Sequence, residues 1–335
     1  MRIKTFIIFI LSGVIIFFCL IYLGGHQRPS FQTLVSETHR RFSNLRNFKE
    51  NLRYAEEKRL QAEEKHLALL GFTNNPRIYP TDCWTNTTLP VIVTVLFHGQ
   101  EKMGVGFAKN TAHMAGNHAV LIYNIGLSAS GLQSVATHCN TSQCQIVPFD
   151  ITLFPTHIQD DPDKTVRALV IQDALNKAGA ILYVDNKFRL TSYIDPLIEK
   201  KPVGSFVTKK AVTTLTHPSM MDYFKTNVES FLFLPMIEMS RLLIWNTLEV
   251  HQQVMLPWVQ CVLTPECVHP IGAQSEGCRF NKKPRYRYSG CHAYDNSALN
   301  VVLGLTYKFN KTIYTFPMQD TFFVLSETVD NSTVV

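Results

Sequence analysis

Between residues 89 and 184 the chain alternates short apolar runs with segments whose apolar residues recur at helical spacing. Val91-Ile92-Val93-Thr94-Val95-Leu96-Phe97 is β-branched and nearly continuous, which predicts a first strand buried on both faces. A helix is expected over 107–115, after Gly99, Gly104 and Gly106, and a second strand over 118–123. Asn124-Ile125-Gly126-Leu127-Ser128 reads as a turn, followed by a short helix over 131–137 and a third strand over 145–149. Apolar residues between Val166 and Leu175 return with helical period, so a helix is expected over 166–177, ending at Gly179. Ala180 to Val184 is then a fourth strand. The series β-α-β-α-β-α-β predicts an α/β fold around a mostly parallel, doubly wound sheet.

Asp185 follows the fourth strand at once. Open α/β sheets bind ligands outside the carboxyl ends of their strands, so this acid stands where chemistry is usually placed. Its alternative role is to cap the next turn. Further on, Gly204-Ser205-Phe206 reads as a strand whose connection runs to Thr216-His217-Pro218. The stretch FLFLPMIEMSRLLIW sets Glu238 in an apolar context read as helical, where a carboxylate is costly unless paired. Arg241, three residues on, is its expected structural partner. Asp295 opens the helix-like segment 296–303, either as an N-cap or as a proton acceptor. His292 and His217 are either ligand-binding or ordinary loop histidines. Trp245, Trp258, Tyr286, Tyr288 and Tyr294 either stack on a ligand or are core. Lys282-Lys283-Pro284-Arg285-Tyr286-Arg287-Tyr288 is either a recognition loop for an anionic ligand or a solvated loop.

Composition adds a membrane and a compartment. The chain has 335 residues, 46% of them hydrophobic and 17% charged, with one run, Phe6 to Leu23, free of charge. That run approaches the roughly 20 residues a spanning helix needs, and Arg2 and Lys4 before it favour a cytosolic N-terminus. We expect a cytosolic tail over 1–5, a signal anchor over 6–24, a helical stem and linker over 25–80, a luminal domain over 81–320 and a C-terminal tail over 321–335. Leu45, Phe48, Leu52 and Ala55 fall at coiled-coil spacing, so a homodimer through the stem is the alternative to a solvated spacer. Sequons at Asn86, Asn140, Asn310 and Asn331 all lie on the luminal side. Cys139 and Cys144 close a short loop around one of them, and Cys261, Cys267 and Cys278 cluster, which fits disulfides of an oxidising compartment. No CxxC pair is present, so a zinc site is disfavoured. The net charge of +6 is modest and only weak evidence for nucleic acid as a partner, which the anchor and the sequons disfavour. Gly104-Val105-Gly106 lacks the third glycine of a dinucleotide fingerprint, and no Gly-x-Ser-x-Gly elbow supports a serine hydrolase.

Taken in order, Asn124 to Ser128, Cys139 with Cys144, Phe154-Pro155-Thr156-His157, the strand into Asp185, Thr216-His217-Pro218, Met236-Ile237-Glu238, Leu256-Pro257-Trp258-Val259-Gln260-Cys261 and His292-Ala293-Tyr294-Asp295-Asn296-Ser297-Ala298-Leu299-Asn300 resemble an animal family of type II single-pass membrane proteins. That family in turn resembles glycosyltransferases of the GT-A fold, and the last motif is similar to their Asp-Gln-x-x-Leu-Asn segment. The resemblance spans roughly residues 85–310. It implies transfer of a sugar from a nucleotide-sugar donor to a glycan or glycoprotein acceptor, in the Golgi or another secretory-pathway membrane. GT-A enzymes usually carry Asp-x-Asp after the fourth strand, holding Mn2+ or a similar cation against the donor diphosphate. Here the triplet is Asp185-Asn186-Lys187, which leaves Asp185 as the one acidic metal candidate and puts a cation in the second place. If the chain runs extended past the strand, Lys187 and Arg189 share a face and supply the positive charge themselves. Glu238 and Asp295 are the candidate general bases. The alternative is a catalytically inactive glycan-binding or scaffold protein that keeps the fold, which the missing second acid favours.

Overall fold

The computed structural model describes residues 12–18, 57, 60–72, 88–198, 201–281, 283–317 and 320–326. The chain divides into two units, Met1–Lys58 and Arg59–Val335. In the first unit, residues 12–18 form a helix whose large apolar side chains are exposed. Among the described residues no helix is long and apolar enough to cross a membrane. The expected anchor over 6–24 lies mostly outside the described residues, as do Cys83 and the sequons at Asn86 and Asn331.

The second unit is built on one sheet of six strands: β1 (Thr88–Phe97), β2 (His118–Ile125), β3 (Cys144–Pro148), β4 (Ala180–Val184), β6 (Val203–Ala211) and β7 (Pro235–Trp245). Their order across the sheet is β3-β2-β1-β4-β7-β6. The first four in that order run parallel, β7 is antiparallel to β4, and β6 is antiparallel to β7. A separate antiparallel pair joins β5 (Phe188–Leu190) to β8 (Phe323–Leu325), so the segment assigned to the C-terminal tail returns to the turn after β4.

Helices cover both faces. On one lie α1 (Glu101–Met114) and α2 (Ala129–Ala136); on the other lie α3 (Pro162–Ala178), α4 (Leu256–Leu263) and α5 (Tyr294–Thr306). Val166, Ala168, Leu169, Val170, Ile171, Ala174 and Leu175 of α3 are all fully buried. At roughly 1.5–3 kcal/mol for each large side chain removed from water, α3 is a main anchor of its layer. It starts at Pro162, where a missing N–H costs nothing, four residues earlier than the periodicity suggests. It ends at Gly179, whose φ of +77° is the left-handed conformation a helix terminus favours. The described end of the segment read as stem, residues 60–72, packs on α3: Leu70 is buried, and its carbonyl accepts from Asn176 at 2.7 Å and Gln172 at 3.1 Å.

Two expectations change. Helix α1 begins at Glu101 and not Phe107, so the glycine pair lies inside it. A Cβ on Gly104 would sit 2.5 Å from Leu96, and one on Gly106 would sit 2.4 Å from the Arg189 guanidinium. The pair therefore serves close packing of helix against strand and against Arg189. The second change concerns Glu238, which lies on β7 and not on a helix. Because β7 runs between β4 and β6 with core on both faces, its apolar residues do not alternate, and the run loses its period of two.

Among the described residues three disulfides form: Cys139–Cys144, Cys261–Cys267 and Cys278–Cys291. The sequon asparagines Asn140 and Asn310 are exposed.

Candidate functional site

The carboxyl ends of β1 and β4 open onto a cavity of about 630 Å³. Antiparallel β7 runs past the end of β4, since Val184 pairs with Arg241 and the Asp185 amide donates to the Ser240 carbonyl at 2.8 Å. This places Glu238, Met239 and Ser240 on the cavity wall beside Asp185. The wall is completed by Asp163, Lys164 and Arg167 at the start of α3, by Lys187 and Lys210, and by His292, Ala293, Tyr294 and Asn296 before and at the start of α5.

Of the catalytic, binding and stacking candidates read from the sequence, the cavity gathers Asp185, Lys187, Glu238, His292 and Tyr294. The carboxylate of Asp185 accepts the Lys187 amide at 3.1 Å, which closes the turn after β4. That turn corrects the expectation of an extended chain: the Phe188 amide bonds back to the Asp185 carbonyl, and Arg189 is buried whereas Lys187 is exposed. Arg189 is 2% exposed and donates to the carbonyls of Asn186 at 2.7 Å and Phe188 at 3.0 Å, packed against Gly106 of α1. It holds the turn and is not on the cavity wall.

Glu238 is partly exposed and forms an ion pair with Arg241, whose other side is held by Asp320. Arg241 is buried against the Phe188 ring, at 4.2 Å, and burial lowers its pKa. Position 238 is fixed by a further contact: the Asn300 side chain accepts the Ile237 amide at 2.7 Å and donates to the Ile237 carbonyl at 3.3 Å. This amide copies a strand partner and ties α5 to β7 one residue from Glu238.

Asp295 is fully buried behind the wall. It is not the cap of α5, whose N-cap position is Ala293; it accepts two parallel bonds from Arg167, at 2.9 and 2.7 Å. Burial pushes the Asp295 carboxyl up to about 6, against the pull of Arg167. Burial also works against the Arg167 charge, but Asp295 more than offsets it and holds the guanidinium charged. Arg167 reaches the cavity while Asp295 does not. The same motif continues this work: Ser297 donates to the Leu215 carbonyl at 2.6 Å, and the Trp258 indole donates to the Asp295 carbonyl at 2.8 Å.

His292 is 2% exposed and its tautomer is set by its partners. Nδ1 accepts the His217 amide at 3.1 Å, so Nε2 carries the proton and donates to the Val268 carbonyl at 3.1 Å. Burial pushes its pKa down to about 4. His217 caps the helix Pro218–Tyr223 by accepting the Ser219 amide, and it lies outside the cavity lining. Arg167 was missed from the sequence although it is the one cation in the run Val166 to Ile171, which is a legible signal. Lys164 and Lys210 carried none.

The residues after β4 do not fit a two-acid clamp for a divalent cation. Asn186 turns inward, donating to Val95 at 2.7 Å and Gln100 at 2.7 Å, and Lys187 is a cation. Among the described residues no group of three or more His, Cys, Asp or Glu is placed to hold a metal ion. The positive charge of the cavity comes instead from Lys164, Arg167, Lys187 and Lys210.

No protein-family model and no curated relative matches the sequence. Solved structures do. The galactosyltransferase LgtC in complex with donor and acceptor sugar analogues is 13% identical, with a TM-score of 0.32 over 46% of this chain and 57% of its own. The bifunctional glycosyltransferase WbbM is 9% identical, with a TM-score of 0.43 over 69% and 40%. Mouse xyloside xylosyltransferase 1 is 11% identical, with a TM-score of 0.36 over 69% and 86%. The chain spans about half the length of the first solved structures it matches. Scores at this level leave the strand order and the cavity as the basis for what the site does.

Proposed function

We propose that this chain is a glycosyltransferase-like protein whose cavity takes a nucleotide-sugar donor and a glycan or glycoprotein acceptor. The observation that carries the reading is the meeting of Asp185 and Glu238 with Lys187, Lys210 and Arg167 at the carboxyl edge of a mostly parallel sheet. Asp185 would accept hydrogen bonds from the donor's sugar or ribose hydroxyls. The cations would neutralise its diphosphate, with the Arg167 fork held ready by Asp295. In the transfer, the acceptor oxygen bonds to the anomeric carbon as the carbon–oxygen bond to phosphate breaks. The nucleoside diphosphate leaves with the electron pair, and Glu238 takes the acceptor proton. Glu238 is preferred to Asp295 because it alone of the two reaches the cavity. The expected anchor over 6–24 and the exposed Asn140 and Asn310 sequons support a type II protein acting in the Golgi or another secretory membrane, on a domain spanning 81–320.

A second reading is a glycan-binding protein without turnover. It is favoured by the pairing of Glu238 with Arg241 and by Lys187 in place of a second acid. The two are separated by incubating the full-length, detergent-solubilised chain with a panel of nucleotide sugars and measuring nucleoside diphosphate release. The transferase reading expects release above a no-protein blank, reduced about a hundred-fold in Glu238→Gln, as for loss of a general base. Release that is absent, or unchanged in Glu238→Gln, contradicts it.

A further inference from the structure

A basic loop borders the cavity. Between Pro270 and Gly290 the chain carries five Lys or Arg and one acid, Glu276. Arg279, Lys283, Arg285 and Arg287 are exposed, as are Lys209 and Lys210 at the end of β6. Among the described residues no ion pair holds any of these six cations. An unpaired cluster of one sign costs self-repulsion, and an anionic ligand relieves it.

The loop is fixed in place. Thr213 and Thr214 are buried and donate their hydroxyls to the carbonyls of Tyr286 at 2.6 Å and Arg285 at 3.0 Å. The Thr214 carbonyl in turn accepts the Ser289 amide at 3.0 Å and its hydroxyl at 2.7 Å. The Cys278–Cys291 disulfide closes the base of the loop, and both cysteines line the cavity. The cations therefore stand on a backbone that is already ordered, which lowers the cost of binding.

Aromatic rings are set among them. Phe280 carries Lys210 over its ring at 3.9 Å, and both residues line the cavity. Phe233 is 81% exposed and meets the Tyr286 ring edge-on at 5.3 Å. Cations meet sulfate or carboxylate groups, while exposed rings suit the C–H faces of sugars. A run of acidic amino acids matches the charge but offers nothing for the rings.

We propose that residues 279–281 and 283–288, with the end of β6, form an acceptor platform for an acidic glycan, one that carries sulfate or uronate groups. The inference rests on the reading of the cavity as a transferase-type site and names the acceptor class for it. Lys210 and Phe280, shared by platform and cavity, deliver the glycan to Glu238.

The test uses the full-length chain in detergent, titrated with a heparin-type sulfated oligosaccharide, a neutral oligosaccharide of equal length and a polyglutamate peptide. The sulfated glycan should bind about ten-fold or more tightly than either of the others. Arg285→Ala/Arg287→Ala should weaken that binding about ten-fold, Arg285→Lys/Arg287→Lys should largely retain it, and Lys102→Ala/Lys109→Ala, which removes the same charge from α1, should leave it unchanged. Equal loss in both alanine pairs, equal binding of the neutral glycan, or preference for polyglutamate overturns the proposal. Asp185→Ala separates it from the donor reading: that variant should lose nucleotide binding and keep glycan binding. Nucleotide binding without sulfated-glycan binding overturns the platform alone.

Discussion

Arg167→Ala should make the second unit, Arg59–Val335, unfold far more readily than an ordinary surface substitution would. The Asp295 carboxylate is fully buried, and Arg167 supplies both of its charge-assisted bonds. Removing one partner of a buried pair leaves an uncompensated charge, at a cost of about 3–5 kcal/mol, whereas an exposed pair contributes about 0–1 kcal/mol. Without Arg167, burial is unopposed and Asp295 takes up a proton near neutral pH, which limits the loss but does not cancel it. Asp295→Asn in the Arg167→Ala background should therefore recover part of the stability. Urea unfolding of the wild type, both single variants and the double variant gives the coupling directly. A loss under about 1 kcal/mol for Arg167→Ala would show that the pair is not buried in the way described.

The second large effect is on acid stability. His292 titrates at about 4 when folded, against 6.5 for the free side chain. Between those values the unfolded chain binds the extra proton, so stability is fully present above pH 6.5 and is lost as pH falls toward 4. From pH 7 to pH 5 this group alone removes about 2 kcal/mol. Asp295 works in the opposite direction. Its folded value of about 6 lies above the free 3.8, so protonation on acidification stabilises the fold and returns about 1 kcal/mol over the same interval. His66, His157, His217 and His251, all shifted down chiefly by burial, add to the His292 side. The chain should be less stable at pH 5 than at pH 7. His292→Gln, which does not titrate, should shrink that difference by about 2 kcal/mol, even though it lowers stability at pH 7. An unchanged difference would mean that His292 is solvated or charged in the fold.

The parallel half of the sheet was legible because its strands are continuous apolar runs and its helices keep their period. Asp185 was legible for the same reason, as the first polar residue after a strand buried on both faces. What failed was whatever depended on distant parts of the chain. Arg189 looks like a solvent-facing cation until β8, about 135 residues later, pairs with its strand and α1 closes over it. The run around Glu238 reads as a helix because a strand between two others has no polar face to mark its period. Asp295 was legible as special, but its role needed Arg167, 128 residues earlier in sequence. The motif around it carries position more than chemistry: Asp295 holds Arg167, Ser297 holds Leu215 and Asn300 holds Ile237.

On the proposed reading, the cavity at Asp185 receives a nucleotide-sugar donor through its own cations. Calorimetric titration of the full-length chain with nucleoside diphosphates and nucleotide sugars, with and without manganese, tests it most directly. Binding should occur without manganese and weaken about ten-fold or more in both Asp185→Ala and Lys187→Ala. Failure of a folded chain to bind any of these nucleotides, or binding that survives both substitutions, would contradict it.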